Sequence, residues 1–238
     1  MAQNNPNIVY SAIDKACFDY NLIEKGDRIL IGASGGKDST LLINYFADRK
    51  KRRDADFEFL ALNIESEIGG VLAPEIKELY EKWGAPYETI RIEVLGRLKP
   101  GRKMNCYWCS TQRRTELLHY ALEHGFNKIA LGHHRDDMLE TLLMNMLGAA
   151  KLTTMPPRLK YEKYPVEVIR PLCYTGECDI ISKAKEDGYF GWTCTCNYQE
   201  NSERKHARKL LEALTEGDET RKRHMFDSLK NINPQYLP

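Results

Sequence analysis

No run of apolar residues approaches the roughly eighteen needed to cross a bilayer, which excludes a membrane-spanning helix. The start, Met1 to Tyr10, lacks the basic segment and apolar stretch of a secretory signal, so a soluble, cytoplasmic protein without membrane contact is expected. Internal repeats and low-complexity segments are absent too. Charge of one sign is not in excess: the net charge is +1 and the pI near 7.6, so local patches must decide whether nucleic acid is a partner. Cysteine is present but odd in number, at seven, and without a secretion signal this argues against a disulfide framework and toward metal binding or catalysis.

What is present is ordinary globular composition, 42% hydrophobic and 29% charged over 238 residues, enough for one sizeable core with appended elements. Arg28 to Gly32 is an apolar run, followed by a Gly-Gly turn and then Leu41, Leu42, Tyr45 and Phe46 at helical spacing, which reads as strand, loop, helix. Strands are expected over Phe57 to Leu62, Pro86 to Ile92, Lys128 to Leu131 and Val166 to Leu172. Helices are expected over Pro74 to Gly84, Thr111 to His124, Asp136 to Leu147 and Asp179 to Asp187. Such alternation implies an α/β fold, a parallel twisted sheet with helices on both faces. Beyond Cys196, Ala207, Leu210, Leu211 and Leu214, then Met225, Phe226, Leu229 and Ile232, suit two amphipathic C-terminal helices. The chain thus divides into an N-terminal helical segment (1–27), an α/β domain (28–192) with an insertion near 97–114, and a cysteine-containing helical tail (193–238).

Gly32-Ala33-Ser34-Gly35-Gly36-Lys37-Asp38-Ser39 follows the first strand and opens a helix. Its backbone N–H groups and the helix N-terminus can cradle phosphate oxygens while Lys37 neutralises charge. It is not a Walker A loop, because Asp38 stands where the magnesium-binding hydroxyl would be. Asp38 is a candidate magnesium (Mg2+) ligand, with an N-terminal helix charge as the plainer alternative. Gly132-His133-His134-Arg135-Asp136-Asp137-Met138-Leu139-Glu140-Thr141 follows the fourth strand, so it should reach the same crevice. Asp136 and Glu140 lie on one helical face while Asp137 points elsewhere, so only some of these carboxylates can meet a substrate. His133 is the better candidate for a nucleotide site, and His134 reads as a surface residue. The residues alone assign no general base.

Ser34 to Ser39 resembles the PP-loop signature in full, and Gly-His-x-x-Asp-Asp-x-x-Glu-Thr resembles the second signature of PP-loop enzymes that modify tRNA. The resemblance implies an adenine nucleotide alpha hydrolase-like fold that holds ATP so that its α-phosphate is attacked and pyrophosphate departs. Candidate ATP contacts are Gly32, Ala33, Ser34, Gly35, Gly36, Lys37, Asp38, Ser39, Asn63, Gly132 and His133, with Lys37, Asp38, Asp136 and Asp137 as catalytic candidates.

Cys106-Tyr107-Trp108-Cys109 precedes the Thr111 helix, a placement that lowers thiol pKa and suits metal ligation. Cys196, Gln199 and Arg204, with Arg170-Pro171-Leu172, resemble the tRNA 2-thiocytidine synthetase group, and the likeness runs from about Asp27 to the final residues. In that group three cysteines hold a four-iron four-sulfur (4Fe-4S) cluster with one iron free of protein ligands. The resemblance implies ligands at Cys106, Cys109 and Cys196, with Cys194 as alternate. Here the late pair is Cys194-Thr195-Cys196, with one intervening residue where relatives show two. Structural zinc is the alternative on the same thiols, and a catalytic disulfide or persulfide a further one. Cys17, Cys173 and Cys178 read as ordinary buried thiols.

Arg97, Lys99, Arg102, Lys103, Arg113 and Arg114 form a stretch free of acidic residues around Tyr107 and Trp108 until Glu116. That combination suits RNA, with Arg102, Lys103, Arg113 and Arg114 as phosphate contacts and an aromatic to stack on an unpaired base, the alternative being a solvated loop over a buried Trp. Arg204, Lys205, Arg208 and Lys209 recur at helical spacing, as a tRNA-facing or simply solvated helix.

These readings converge on an ATP-dependent tRNA sulfurtransferase that activates the O2 of a cytidine, with tRNA and a sulfur donor such as a cysteine desulfurase or sulfide as partners, and a homodimer left open. The competing readings are a lysidine-type or amide-forming PP-loop ligase with structural zinc, sulfur chemistry on a different thionucleobase, and a metal module that binds nucleotide without turnover.

Overall fold

The computed structural model describes residues 6–98, 101, 104, 106–191 and 202–236. The elements run α1 (Pro6–Asp19), β1 (Asp27–Gly32), α2 (Lys37–Lys50), β2 (Phe57–Ser66), α3 (Pro74–Trp83), β3 (Tyr87–Ile92), α4 (Cys106–Glu123), β4 (Lys128–Ala130), α5 (Arg135–Ala149), β5 (Arg158–Lys160), β6 (Glu167–Ile169), α6 (Glu177–Glu186), α7 (Ser202–Thr215) and α8 (Glu219–Ser228). Six strands form one sheet in the order β3-β2-β1-β4-β6-β5, parallel except for the antiparallel edge pair β5–β6. Chain order reverses between β1 and β4, which opens a crevice at the ends of those two strands.

Period-two alternation sorts the sheet's side chains between two cores. Ile29, Ile31, Phe59 and Ala61 enter the larger one, built with α1, α2, α3, α5, α6, α7 and α8. Leu30, Leu62 and Ile64 enter the smaller one with Leu117, Tyr120 and Ala121 of α4. Each fully buried aliphatic side chain contributes roughly 1.5–3 kcal/mol, so both helical layers are held by area rather than by a few special contacts. Helices therefore cover both faces, as the alternation predicts, and the two tail helices pack on α5. Among the described residues no helix is long and apolar enough to cross a membrane.

Four elements differ from expectation. α4 begins at Cys106 rather than Thr111, so the Cys-x-x-Cys is its first turn rather than the loop before it. Strand β2 continues four residues further, to Ser66, because β3 pairs with its second half (Ala61 to Ser66). The edge strand β5 was not foreseen, and the strand expected over Val166 to Leu172 shortens to Glu167–Ile169 before a 3-10 turn at Pro171–Tyr174.

Candidate active site

β1 ends at Gly32, and the chain turns through Ser34 to Gly36 into the N-terminus of α2. Gly35 takes φ +76°, a conformation that favours glycine. Two serines brace the turn: Ser34 Oγ lies 3.0 Å from Ser39 Oγ and accepts from the Gly36 N–H at 3.3 Å, and Ser39 Oγ donates to the Gly36 carbonyl at 3.1 Å. The loop is thereby shaped before any ligand arrives, at a helix N-terminus whose first amides have no intrahelical acceptors.

The second motif approaches from β4. A Cβ on Gly132 would come within 3.0 Å of the Ser39 nitrogen and 3.1 Å of the Asp38 carbonyl carbon, so glycine here permits the two motifs to touch. The result is a cavity of about 290 Å³ lined by Gly32, Ala33, Ser34, Asp38 and Ser39 from the loop and by Gly132, His133 and Asp137 from the second motif. Leu62, Ile64, Leu117 and Leu131 supply apolar wall, and Ser110, Arg113 and Arg114 of α4 close one side. An apolar slot beside phosphate-binding amides and cations is what a nucleotide needs.

Its electrostatics are unbalanced. Lys37 Nζ lies 3.1 Å from Asp38 Oδ1 and 3.1 Å from Glu177 Oε1; burial alone would lower its pKa, but these two carboxylates raise it. Burial raises the Asp38 carboxyl above its usual range despite His134 and Lys37 beside it. Its Oδ1 is shut from solvent with no aligned hydrogen bond among the described residues. Asp137 is buried as well, but His134, His133, its bond from the His134 amide and Arg204 outweigh that and hold it low. It accepts from the His134 N–H at 3.1 Å and from Arg204 at 3.2 Å. His133 is pushed down by burial, and its Nδ1 has no partner among the described residues. An orphaned buried nitrogen such as His133 Nδ1, on the wall of a cavity, is where a ligand can complete the bonding.

The PP-loop domain family matches residues 8–214. The tRNA-cytidine(32) 2-sulfurtransferase of Methylobacillus flagellatus is 37% identical over 235 residues, covering 97% of this chain and 78% of that protein. The chain belongs to this family of PP-loop proteins. The same enzyme of Nitrosospira multiformis is 35% identical over 243 residues, covering 99% of this chain and 82% of its own length. In fold the chain is similar to the U34-tRNA thiolase NcsA from Methanococcus maripaludis, a structure determined with its 4Fe-4S cluster, at TM-score 0.76 and 21% identity over 95% of this chain and 79% of that one.

Within this PP-loop site the placement of the candidates is uneven. Gly32, Ala33, Ser34, Asp38, Ser39, Gly132, His133 and Asp137 meet at one cavity, with Lys37 joined to it through Asp38. Asn63 does not line it: its amide donates to the carbonyls of Ala33 at 2.8 Å and Gly70 at 2.9 Å, tying the phosphate loop to the β2–α3 loop. Asp136 faces away, accepting from the Glu177 N–H at 3.0 Å and pairing with Lys222 at 3.1 Å. His134 is no surface residue; it is 2% exposed, with Nε2 3.4 Å from Asp137 and 3.9 Å from Asp38. Glu140, named at sequence level only for its spacing, is 1% exposed and bound by Arg208.

Among the expected RNA contacts, Arg113 lines the cavity and donates to the Gly69 carbonyl at 3.0 Å, and Arg114 is exposed at the cavity rim. Arg102 and Lys103 lie outside the described residues. Trp108 is half-buried against the smaller core rather than presented as a free stacking platform. Arg204 and Arg208 turn toward α5, while Lys205 and Lys209 stay exposed. Of the cysteines, Cys109 is half-buried in the first turn of α4 beside the cavity residue Ser110, and Cys194, Cys196 and the Cys106 side chain lie outside the described residues. Among the described residues no group of three or more His, Cys, Asp and Glu is arranged to hold a metal. Cys17 and Cys173 are buried as expected, but Cys178 is exposed.

Proposed function

We propose that this protein is an ATP-dependent tRNA sulfurtransferase that replaces O2 of a cytidine by sulfur, the base being the one its relatives' names specify. The observation that carries the reading is the meeting of the PP-loop and the second motif around one cavity that has an unpartnered His133 Nδ1 and an apolar wall. The α2 amides and Lys37 would hold the phosphates, and Leu62, Ile64 and Leu131 would enclose the adenine. Asp38 and Asp137 are the carboxylates within reach of a magnesium ion bound to those phosphates, hard oxygen donors suited to it.

In the reaction the cytidine O2 attacks the α-phosphorus and the bond to pyrophosphate breaks. Sulfide then adds at C2, and the C2–O2 bond breaks as AMP leaves, carrying O2. Base, ATP and sulfide thus become thiolated base, AMP and pyrophosphate with no net redox change. Lys37 and the loop amides act where negative charge grows on the phosphates, the positioned electrostatic assistance that phosphoryl chemistry depends on. Arg113 and Arg114, on the α4 side of the same cavity, would face the incoming base and its phosphates.

Cysteine sulfurs are the soft donors an iron–sulfur group takes, and Cys106 and Cys109 on the first turn of α4, with Cys196 (or Cys194), would be its ligands. When bound, such a cluster supplies an iron able to hold sulfide near the activated carbon. A cytoplasmic setting with tRNA and a sulfide donor follows from the same reading.

The test is mass spectrometry of tRNA nucleosides from the source organism with and without the gene. Selective loss of 2-thiocytidine is expected. An unchanged thionucleoside profile would remove the reading. Anaerobic reconstitution with iron and sulfide should give brown protein, and a colourless product containing zinc would reassign the cysteines.

A further inference from the structure

A chain of charged contacts joins the phosphate loop to the second motif through the tail. Lys37 of α2 meets Glu177 of α6 at 3.1 Å, and Arg208 of α7 lies 3.9 Å from Glu177 and 2.7 Å from Glu140 of α5. Arg204 of α7 lies 3.9 Å from the other Glu140 oxygen and 3.2 Å from Asp137. The orientation of α7 is set by apolar packing: Ala207 and Leu211 are 2% and 1% exposed. Residues four apart share a helical face, so fixing Ala207 and Leu211 against the core also directs Arg204 and Arg208 at α5.

The arrangement answers an electrostatic difficulty. Asp38, Asp137, Glu140 and Glu177 are four carboxylates close to a cavity that must receive a polyanion, and Lys37 is shared between two of them. Glu140 is 1% exposed, and burial raises its carboxyl, with Arg208 opposing. Without α7, Asp137 and Glu140 would lose their guanidinium partners and their field would repel a triphosphate.

We infer that Arg204 and Arg208 are positioning residues for the nucleotide: they neutralise Glu140, orient Asp137 and, through Glu177, fix the place of Lys37. The inference rests on the reading of the cavity as an ATP site. One face of α7 thereby becomes part of the nucleotide-binding machinery, while Lys205 and Lys209 stay on its exposed side.

The experiment is calorimetric titration of the full chain with MgATP, alongside melting of the nucleotide-free protein, for wild type, R204Q, R208Q, R208K, R208E and the swap E140R/R208E. R204Q and R208Q are expected to bind MgATP about tenfold more weakly, the scale of one lost charge-assisted contact. R208K and the swap should recover most of the affinity. A role in bracing the fold alone would lower the melting temperature of R204Q and R208Q and leave MgATP affinity within about twofold of wild type, and that result would overturn the inference. If R204Q or R208Q fails to fold, R208K and the swap decide: weakening in the swap equal to R208E alone would count against charge positioning. Wild type that binds no MgATP would sink the ATP-site reading and the inference with it, whereas a normal wild type with unaffected variants would sink only the inference.

Discussion

The two ends of the central sheet both bury charge, and they bury it differently. Where the strands begin, Lys128 has a side chain 2% exposed, and its ammonium meets Asp27 at 2.7 Å, Glu24 at 2.8 Å and the Leu22 carbonyl at 3.2 Å. Asp27 in turn accepts from Asn127 at 2.7 Å, and Glu24 pairs with Arg158 at 2.8 Å. Three ammonium hydrogens find three acceptors, so this end is complete without a ligand. Where the strands end, His133 Nδ1 is buried without a hydrogen-bond partner among the described residues, and Asp38 Oδ1 has the Lys37 ammonium at 3.1 Å but no aligned hydrogen bond, beside an open cavity. Burial of charge is therefore no sign of function by itself; what separates the two ends is the open cavity beside the charges.

The contrast should break most visibly in activity. K37A is expected to reduce tRNA thiolation and pyrophosphate release by about 10²–10³-fold, the scale of one lost transition-state charge contact, with little effect on folding. D38N should lose activity comparably yet be more stable. The Asp38 carboxyl is held above its unfolded value, so its ionisation at neutral pH opposes folding. The gain should appear as pH rises above about 4 and vanish below it, as melting curves across pH will show. A D38N protein that is less stable at pH 7 would contradict the idea that this end is strained for function.

At the complete end the effect should move to stability. K128A leaves Asp27 buried without its cation and should cost about 3–5 kcal/mol by urea denaturation, while activity per folded molecule stays unchanged. G132A lies between the two behaviours. Its Cβ would press on Ser39 and Asp38 backbone atoms, costing roughly 1–3 kcal/mol and separating the motifs, so thiolation should fall more than stability suggests.

The smallest effect is a pH dependence. Burial pushes the His133 imidazole down to about 4. The unfolded chain binds that proton from about pH 6.5 downward, so His133 contributes stability that is present above 6.5 and lost as pH falls toward 4. H133Q should flatten the decline in melting temperature between pH 7 and 5, and an unaltered slope would show that His133 is not shielded in the cavity.

The phosphate loop and the Gly132 motif were legible because each is a contiguous string placed by its own strand and helix. The mostly parallel sheet with helices on both faces followed from the same alternation, whereas the order of its strands came only from the structure. The split between Asp136 and Asp137 was not legible: a helix separates neighbouring side chains by about 100°, but which one meets the cavity depends on where α6 and α8 dock, since Glu177 and Lys222 claim Asp136. The early start of α4 was missed because Ser110 and Thr111 look like a cap and instead lie inside the helix. β5 is three residues long at a sheet edge, too short to show alternation. Glu140 and Arg208 were each visible as charges, but a contact across 68 positions leaves no local pattern.

By itself the sequence determined the strand–loop–helix units, the phosphate-binding loop and the family, because those depend on local spacing and backbone conformation. Only the tertiary structure decided which carboxylates face the cavity, that His134 is buried among them, and that two arginines of the tail complete their charge. Those outcomes depend on the docking of helices distant in the chain, where the desolvation of each charge is set by what packs against it rather than by its neighbours in sequence.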